Sequence, residues 1–313
     1  PMSEKNEKSG TPSTTSDSVL DVLEDWYHVP VLGAVLAFMF WVRVQAWESY
    51  TQNGEIYFSG NDAYYHFREV MYTVQHWPST MPFDVWTNFP NGTSVGQFGT
   101  LFDQIVATAA LVVGLGSPSQ ETISMTLLFA PAVFGTLLAI PTYFIGKRLG
   151  GRLGGVFSAA VLGLLPGYFL SRSLVGAADH NGAEPLFQSL AVLATMVALT
   201  VAEREKPVYE QFLDRDVAGL RRVVGWSVLA GAATAAYMWM WPPGVLLVGI
   251  FGVFYLVKLT SDYYSGTSPD HVAVVAAVSS VTTGLLMLVP LSTLSFSPSQ
   301  FSILQPLFSI AVG

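Results

Sequence analysis

Two short polar segments interrupt a chain that otherwise carries few charges. The first, SGNDAYYHFREV at residues 59–70, contains Asp62, and the second, GAADHNGAEP at residues 176–185, contains Asp179. Two carboxylates with a further oxygen or nitrogen ligand are what a divalent cation such as Mg²⁺ or Mn²⁺ requires. A cation held there would also neutralise charge that develops on a phosphate leaving group. If the two segments meet, they predict a site for metal-assisted chemistry.

Each of these acids also has an ordinary structural interpretation. Asp62 follows Ser-Gly-Asn ahead of a helical stretch, which suits an N-cap or first-turn acid. Asp179 is suited to capping the next helix or to simple solvation. Ionisable groups beside a membrane are costly, however, and two such acids in a chain with few charges favour the functional interpretation.

The elements that must position these segments are membrane helices. The 313 residues are 51% hydrophobic and 12% charged, and the mean hydropathy is +0.46. Apolar runs of about 18 residues or more are candidates for spanning a bilayer. The long uncharged run from Val223 to Val257 must divide at Trp241-Pro242-Pro243-Gly244, because consecutive prolines end a helix. The sequence thus predicts an all-α polytopic membrane protein with about seven spans, at 30–47, 122–146, 153–170, 185–202, 223–240, 244–258 and 271–292.

The distribution of lysine and arginine predicts the orientation. Eleven of the fourteen fall on one side of the predicted spans, and positively charged loops stay in the cytoplasm. The N-terminus is therefore predicted to be cytoplasmic, with outer loops at 48–121 and 171–184. The first outer loop contains a predicted short helix at 62–76 and an apolar segment at 99–115. Counting 99–115 as a span would reverse the charge bias, so we interpret it as an external or interfacial helix.

The remaining composition narrows the class of protein. Residues 1–29 are predicted to form a cytoplasmic tail that is partly disordered, and residues 30–313 a membrane domain. The absence of cysteine excludes disulfides and thiolate metal sites. A net charge of −8 with only five lysines is similar to the acidic bias of salt-loving archaea.

Three segments resemble a known family. GNDAYYHFR, FDVWTNFPNGTSVGQFGTLFDQ and GAADHNGAEP are similar to the acidic motifs of the archaeal oligosaccharyltransferase catalytic subunit, across about residues 60 to 190. The resemblance implies a transmembrane helix bundle of the GT-C glycosyltransferase type, in the archaeal plasma membrane with its active site facing the exterior. It implies transfer of an oligosaccharide from a dolichyl phosphate or diphosphate carrier to Asn in Asn-X-Ser/Thr of an acceptor protein. It further implies Mn²⁺ or Mg²⁺ as cofactor, contact with membrane lipid, and no nucleic-acid partner.

The resemblance assigns roles by motif position. Asp62 matches the first-loop acid that binds metal and contacts the acceptor amide, and Asp179 matches a metal ligand of the second motif. Both are the implied catalytic residues. The third metal position falls on Asn181, where archaeal relatives often have His, so His180 and Glu184 are possible substitutes for it.

Other residues of the same motifs receive supporting roles. His66, Arg68 and His180 are candidates for holding the metal ligands or for binding the lipid phosphate. Asn91 begins an outer Asn-Gly-Thr sequon and is a candidate glycosylation site. The family's fifth-loop acid and soluble C-terminal domain have no counterpart in the 313 residues, so the resemblance implies an N-terminal portion that is inactive alone.

Two alternative functions remain from the residues themselves. A polytopic ion-coupled transporter would place ionisable groups inside its spans, and the predicted spans carry almost none. Another membrane glycosyltransferase that uses a lipid-phosphate sugar, with a glycan or lipid as acceptor, would share an outer-loop acid. Only the C-terminal region that is missing from the 313 residues, or an acceptor assay, separates that enzyme from an oligosaccharyltransferase.

Overall fold

The computed structural model describes residues 26–205, 207–291 and 293–313, so most of the predicted tail, up to residue 25, lies outside the described residues. The described chain is helical, as predicted, apart from two short antiparallel hairpins in the first outer loop. The hairpins are β1 (Thr51–Gln52) with β2 (Glu55–Ile56), and β3 (Phe83–Asp84) with β4 (Thr93–Ser94). The helices are α1 (His28–Val44), α2 (Asp62–His76), α3 (Leu101–Val113), α4 (Gln120–Leu137), α5 (Ala139–Leu164), α6 (Tyr168–Arg172), α7 (Glu184–Arg204), α8 (Val208–Leu213), α9 (Val217–Met240), α10 (Val245–Tyr264), α11 (Asp270–Leu286) and α12 (Leu304–Val312).

Five helical segments among the described residues are long and apolar enough to cross a membrane, rather than the predicted seven. One of them, Gln120–Leu164, contains two predicted spans. Helix α11, with 17 residues, is a shorter apolar helix at the lower limit of the length of a span. The structure therefore confirms a helical protein with several candidate spans, and the number seven stays a prediction.

Helix α5 is interrupted by a tight turn at Gly150-Gly151, which divides the segment Gln120–Leu164 into two helical arms. Gly150 and Gly151 have non-helical backbone angles, and Gly151 has a φ of 67°, which favours glycine. After the turn the chain folds back: a Cβ on Gly146 would lie 2.7 Å from the carbonyl oxygen of Gly154. This turn falls between the predicted spans 122–146 and 153–170, so the sequence correctly placed the break.

The ends of two predicted spans differ from the structure. The span 153–170 was predicted too long, because α5 ends at Leu164 and the chain turns at Gly167, whose φ is 95°. Pro166 explains the stop, since the residue before a proline is pushed out of the helical region. The predicted span 271–292 is likewise longer than α11. By contrast, the corner at Pro242–Gly244 lies between α9 and α10, as predicted.

The two helices of the first outer loop pack against each other and against α4. Ala63 and Val70 of α2, Phe102 and Val106 of α3, and Leu127 of α4 are buried in one apolar cluster. The spacing of the buried positions on α2 follows one face of a helix. The predicted outer loop 48–121 is therefore a folded unit that fixes the orientation of α2, on which Asp62 and His66 lie.

Backbone hydrogen bonds join the two outer segments. The amide of Ser59 donates to the carbonyl of Gly176 over 2.9 Å, and the amide of Val175 donates to the carbonyl of Arg43 over 2.9 Å. The guanidinium of Arg43 is fully buried and donates to the hydroxyl of Ser173 over 3.0 Å. The second segment is thus held against both α1 and the start of α2.

Candidate functional site

The two polar segments meet at Asp179. Its Oδ1 lies 2.6 Å from His180 Nδ1 and 3.3 Å from His66 Nε2, and these two imidazole nitrogens are 3.3 Å apart. The three residues together offer ligand atoms that all lie within 4.8 Å of one another. Two nitrogens and one carboxylate oxygen therefore converge on one point, as a cation site requires.

Each imidazole also faces a second carboxylate on its far side. His66 Nδ1 is 2.8 Å from Asp103 Oδ1, and His180 Nε2 is 3.2 Å from Glu184 Oε1. The former contact has the geometry of a hydrogen bond, whereas Glu184 Oε1 has no hydrogen-bond partner. The result is a row in which acids and imidazoles alternate.

Local structure explains these positions. His66 lies one turn after Asp62 on α2, on the face that packs against α3. Asp179 has an extended backbone ahead of the 3₁₀ turn His180–Gly182, and its side chain makes no capping bond. Asn61, rather than Asp62, occupies the N-cap position of α2, and it too makes no side-chain capping bond. Asp62 lies in the first turn of α2, and the capping roles considered for the two acids are not observed.

Burial and the neighbouring charges together shift the pKa values of the acids and imidazoles in this row. Burial disfavours the charged imidazole of His66, but Asp103 and Asp179 outweigh burial and raise its pKa to about 10. Burial also opposes the charge of Asp179, yet His180 and His66 hold the pKa of that carboxyl well below its usual range. A cation that binds here must replace a proton, so its affinity will depend on pH.

Asp62 borders two cavities. One, of about 240 Å³, also touches Asp179 and Arg172. The other, of about 530 Å³, touches His66, Arg68 and His180 and has the aromatic rings of Trp86 and Trp241 in its walls. The exposed carboxylate of Asp62 therefore lies where a substrate in either cavity would pass close to the His66, Asp179 and His180 group.

Asn181 lies on the other side of Asp179 from the two imidazoles. Its amide nitrogen donates to Asp179 Oδ2, and Arg172 Nη1 lies 3.8 Å from the same oxygen. Asn181 is thus close to Asp179 but contacts the oxygen that faces away from His66 and His180. Asn181, which the resemblance puts at the third metal position, and its possible substitutes His180 and Glu184 therefore all lie close to Asp179.

Arg68 is held by an ion pair. Its Nε and Nη2 donate to Asp84 over 3.1 and 2.6 Å, and Asp84 also accepts from the backbone of Trp86 and the hydroxyl of Thr87. Burial alone would raise the pKa of Asp84, but the bonds from Arg68 and Thr87 lower it to about 2. The guanidinium of Arg68 therefore faces the larger cavity from a fixed position.

Two features of this region escaped sequence reasoning. Asp103 belongs to the apolar segment 99–115, which we interpreted only as an external helix, and Trp241 was treated only as part of a corner. A lone acid in an otherwise apolar helix is costly unless it has a partner, and this was the available signal for Asp103. Asn91 is exposed in a turn next to β4, so its side chain is accessible.

Comparison with known proteins agrees with this fold. The chain is 59% identical over 298 residues to the dolichyl-monophosphooligosaccharide–protein glycotransferase AglB of Haloferax volcanii, covering 95% of this chain and 28% of that protein. It resembles the solved structure of the oligosaccharyltransferase AglB from Archaeoglobus fulgidus, in complex with an inhibitory peptide and a dolichol-phosphate. That match has a TM-score of 0.80 and 22% identity, and it covers 93% of this chain and 32% of the other. A second structure of an Archaeoglobus fulgidus oligosaccharyltransferase, complexed with Zn and sulfate, matches with a TM-score of 0.75 and 22% identity, over 90% of this chain and 34% of the other.

The chain thus spans about 28% of the length of the Haloferax relative. The solved structures support the fold, while the family is established by sequence. The family model described as "Oligosaccharyl transferase STT3, N-terminal" matches residues 32–312. Since this match covers nearly the whole chain, the chain belongs to the STT3 family of oligosaccharyl transferases.

Proposed function

We propose that the protein transfers an oligosaccharide from a dolichyl phosphate or diphosphate carrier to the side-chain amide of Asn in Asn-X-Ser/Thr. The observation that carries this proposal is the convergence of the two outer acidic segments. They bring His66, Asp179 and His180 together beside a cavity that Asp62 borders. The names of the Haloferax and Archaeoglobus relatives support the same substrates, a dolichol-linked donor and a peptide acceptor.

The donor atoms at Asp179 fit a divalent cation. Asp179 Oδ1 is buried and lacks a hydrogen-bond partner, although two imidazole nitrogens lie within 3.3 Å of it. Neighbouring ligands of an octahedral ion with bonds of about 2.1–2.2 Å are separated by about 3 Å, which is similar to these distances. Asp179, His66 and His180 would hold the ion, with Asp62 or Asn181 completing the set. Carboxylate oxygens suit both Mg²⁺ and Mn²⁺, and imidazole ligands suit a transition-metal ion better than Mg²⁺.

The residues of the chain have separate tasks in this proposal. The bound cation would neutralise the phosphate that leaves the sugar. Asp62 accepts a hydrogen bond from the acceptor amide, whose nitrogen is a poor nucleophile because its lone pair is delocalised into the carbonyl. Twisting the amide about its C–N bond, by holding its hydrogens through Asp62, breaks that delocalisation and frees the lone pair for attack on the anomeric carbon. The bond from that carbon to the phosphate oxygen breaks, and the proton lost from the nitrogen passes to the carboxylate of Asp62. Arg68 borders the larger cavity and is proposed to contact the lipid phosphate.

A chimaeric enzyme tests the function. We would replace the matching region of the Haloferax relative with this chain and measure glycopeptide formation from dolichol-linked oligosaccharide, Mn²⁺ and an Asn-X-Thr peptide. Activity is expected in the chimaera and its loss, by at least a hundredfold, in Asp62→Ala and Asp179→Ala. The exposed acid Glu48 provides the control, and Glu48→Gln should retain activity. Unchanged transfer in both aspartate variants would refute the site assignment.

We also propose that the chain lies in the archaeal plasma membrane with the site facing the exterior. The support is the charge asymmetry, since eleven of the fourteen lysines and arginines fall on the predicted inner side. Because the chain has no cysteine, single thiols report topology directly. Thr51→Cys should react with an impermeant maleimide in intact cells, whereas Ser268→Cys should react only after permeabilisation. The reverse pattern would overturn this orientation.

A further inference from the structure

We propose that Asp103 is a positioning residue for the cation site, fixing the imidazole of His66 so that Nε2 faces Asp179. This inference rests on the proposed function, because it assigns a residue that supports the metal ligands. Asp103 lies on α3, at the end of the quoted segment 83–104 and outside the two segments that carry Asp62 and Asp179, 37 residues from His66 in the chain. The resemblance gave Asp103 no role.

The hydrogen bond between the two side chains decides the tautomer of His66. Asp103 Oδ1 lies 2.8 Å from His66 Nδ1, and the two side chains are 1% and 3% exposed. A neutral imidazole carries one proton, and an ionised carboxylate can only accept it. The proton of the neutral ring is therefore held on Nδ1, and the lone pair of Nε2 is left to face Asp179. Histidine ligands of metal ions are commonly oriented by a carboxylate in this way.

Packing fixes the plane of the same ring. The ring of Phe102 meets the His66 ring edge to face with centroids 5.0 Å apart, and the ring of Tyr65 does so at 5.1 Å. Phe102 comes directly before Asp103, so the first turn of α3 supplies both an aromatic wall and the carboxylate. The aromatic contacts thereby fix the orientation of the imidazole, and the hydrogen bond to Asp103 fixes which nitrogen carries its proton.

A purely structural role for Asp103 makes a different prediction. If the carboxylate served only to fill space and accept one hydrogen bond, asparagine would replace it, because the two side chains have nearly the same shape. A positioning role needs the charge as well, since the carboxylate raises the basicity of the imidazole. The amide can also turn its NH₂ group toward Nδ1, which would stabilise the wrong tautomer. Metal affinity, rather than stability, therefore separates the two roles.

The experiment measures Mn²⁺ binding to the full chain in lipid nanodiscs, with Mn²⁺ as the only ligand. We would determine affinity by electron paramagnetic resonance and detect imidazole ligation through ¹⁴N modulation of the Mn²⁺ signal. Asp103→Asn should weaken Mn²⁺ binding by about 10–100-fold, the usual effect of removing a residue that orients a metal ligand. Its ¹⁴N modulation should fall relative to the unsubstituted chain.

Asp84 offers the matched control. It is also a buried aspartate of the first outer loop, but its partner is Arg68. Asp84→Asn thus removes one buried negative charge without touching His66, and it should change Mn²⁺ affinity by less than threefold. If Asp103→Asn binds Mn²⁺ as tightly as Asp84→Asn does, Asp103 has no positioning role.

Failure of this inference is distinguishable from failure of the proposed function. Glycopeptide formation by the chimaera, lost in Asp179→Ala, supports the function whatever Asp103 does. If the chain binds no Mn²⁺ at any concentration that supports transfer, or binds it without ¹⁴N modulation, the assignment of His66 and Asp103 is overturned. A melting temperature of Asp103→Asn close to that of the unsubstituted chain will show that any loss of affinity does not reflect unfolding.

Discussion

Removing the charge of Asp84 should open the second hairpin of the outer loop without unfolding the chain. Asp84 is only 2% exposed and accepts hydrogen bonds from Arg68, Trp86 and Thr87. The bonds from Arg68 join the hairpin of β3 and β4 to α2, and those from Trp86 and Thr87 brace the loop of the hairpin itself. Asp84→Asn retains the shape of the side chain but loses its charge, so it weakens this junction specifically.

The pKa of Asp84 sets the size of the effect. Its value falls from 3.8 to about 2 in the folded chain, so the carboxylate contributes stability above pH 3.8 and loses it as the pH falls toward 2. A shift of this size corresponds to about 2.5 kcal/mol, or roughly 60-fold in an equilibrium constant. At pH 7 the carboxylate of Asp84 makes its whole contribution to stability. Since asparagine still accepts some of these bonds, we expect the hairpin of Asp84→Asn to open about 10–60-fold more often.

A single buried thiol measures this opening. The chain has no cysteine, and Val95 is fully buried directly after β4, so Val95→Cys introduces one thiol that reacts only when the hairpin opens. Adding Asp84→Asn should accelerate alkylation of that thiol at pH 7 by the predicted factor, while adding Glu48→Gln should not. Rates within twofold of each other for the two double variants would refute the reasoning that this ion pair anchors the hairpin.

Three further predictions concern two glycines at positions unsuited to a side chain and one buried acid. Gly151→Ala should destabilise the chain by about 1–3 kcal/mol in thermal denaturation, because its φ of 67° strains other residues, whereas Gly150→Ala meets open space and should not. Gly99→Ala should lower the melting temperature, because its Cβ would lie 2.6 Å from the backbone carbonyl carbon at the end of α9, whereas Gly96→Ala has no such neighbour. Burial, with help from nearby carboxylates, raises the pKa of Glu69 from 4.5 to about 8, so the folded state holds its proton more tightly and stability falls as the pH rises through this range. Glu69→Gln should therefore raise the melting temperature at pH 8 more than at pH 5.

Each of these has a result that contradicts it. Equal melting temperatures for Gly151→Ala and Gly150→Ala would show that the turn between the two helices adapts to a side chain. A stable Gly99→Ala variant would mean that the outer loop and α9 do not approach as closely as the structure shows. A stabilisation by Glu69→Gln that does not depend on pH would exclude ionisation of Glu69 as its cause.

The sequence predicted the local elements around the site because each has a local physical signal. Helix α2 follows from its periodic apolar face, and the corner at Pro242–Gly244 follows from two prolines. The end of α5 was misplaced because a long apolar run says nothing about the exact residue at which a helix stops. Gly167 after Pro166 was the available indication of that stop.

Contacts between distant residues could not be read in the same way. The sequence placed Asp62 and Asp179 in two outer loops, but only the folded chain brings His66 and His180 to the same oxygen of Asp179. Asp103 illustrates the limit most clearly. Its helix was predicted, yet which face of that helix packs against α2 depends on tertiary contacts that no local pattern encodes.

The distribution of buried acids supports a functional origin for this region. Burying a carboxylate costs several kcal/mol unless it is well paired, and a hydrophobic replacement is often at least as stable. If these acids served stability alone, they should be spread among the helices. Of the five acids that are fully buried among the described residues, Glu69, Asp84, Asp103 and Asp179 lie in the outer segments, and only Asp262 lies elsewhere. Three of the four outer acids have at least one oxygen without a hydrogen-bond partner. Burying these carboxyl groups therefore destabilises the fold, and hydrogen bonds offset that cost only in part. Such a concentration of incompletely satisfied acids at one end of the helices is expected where a cation and a phosphate-linked substrate must be bound.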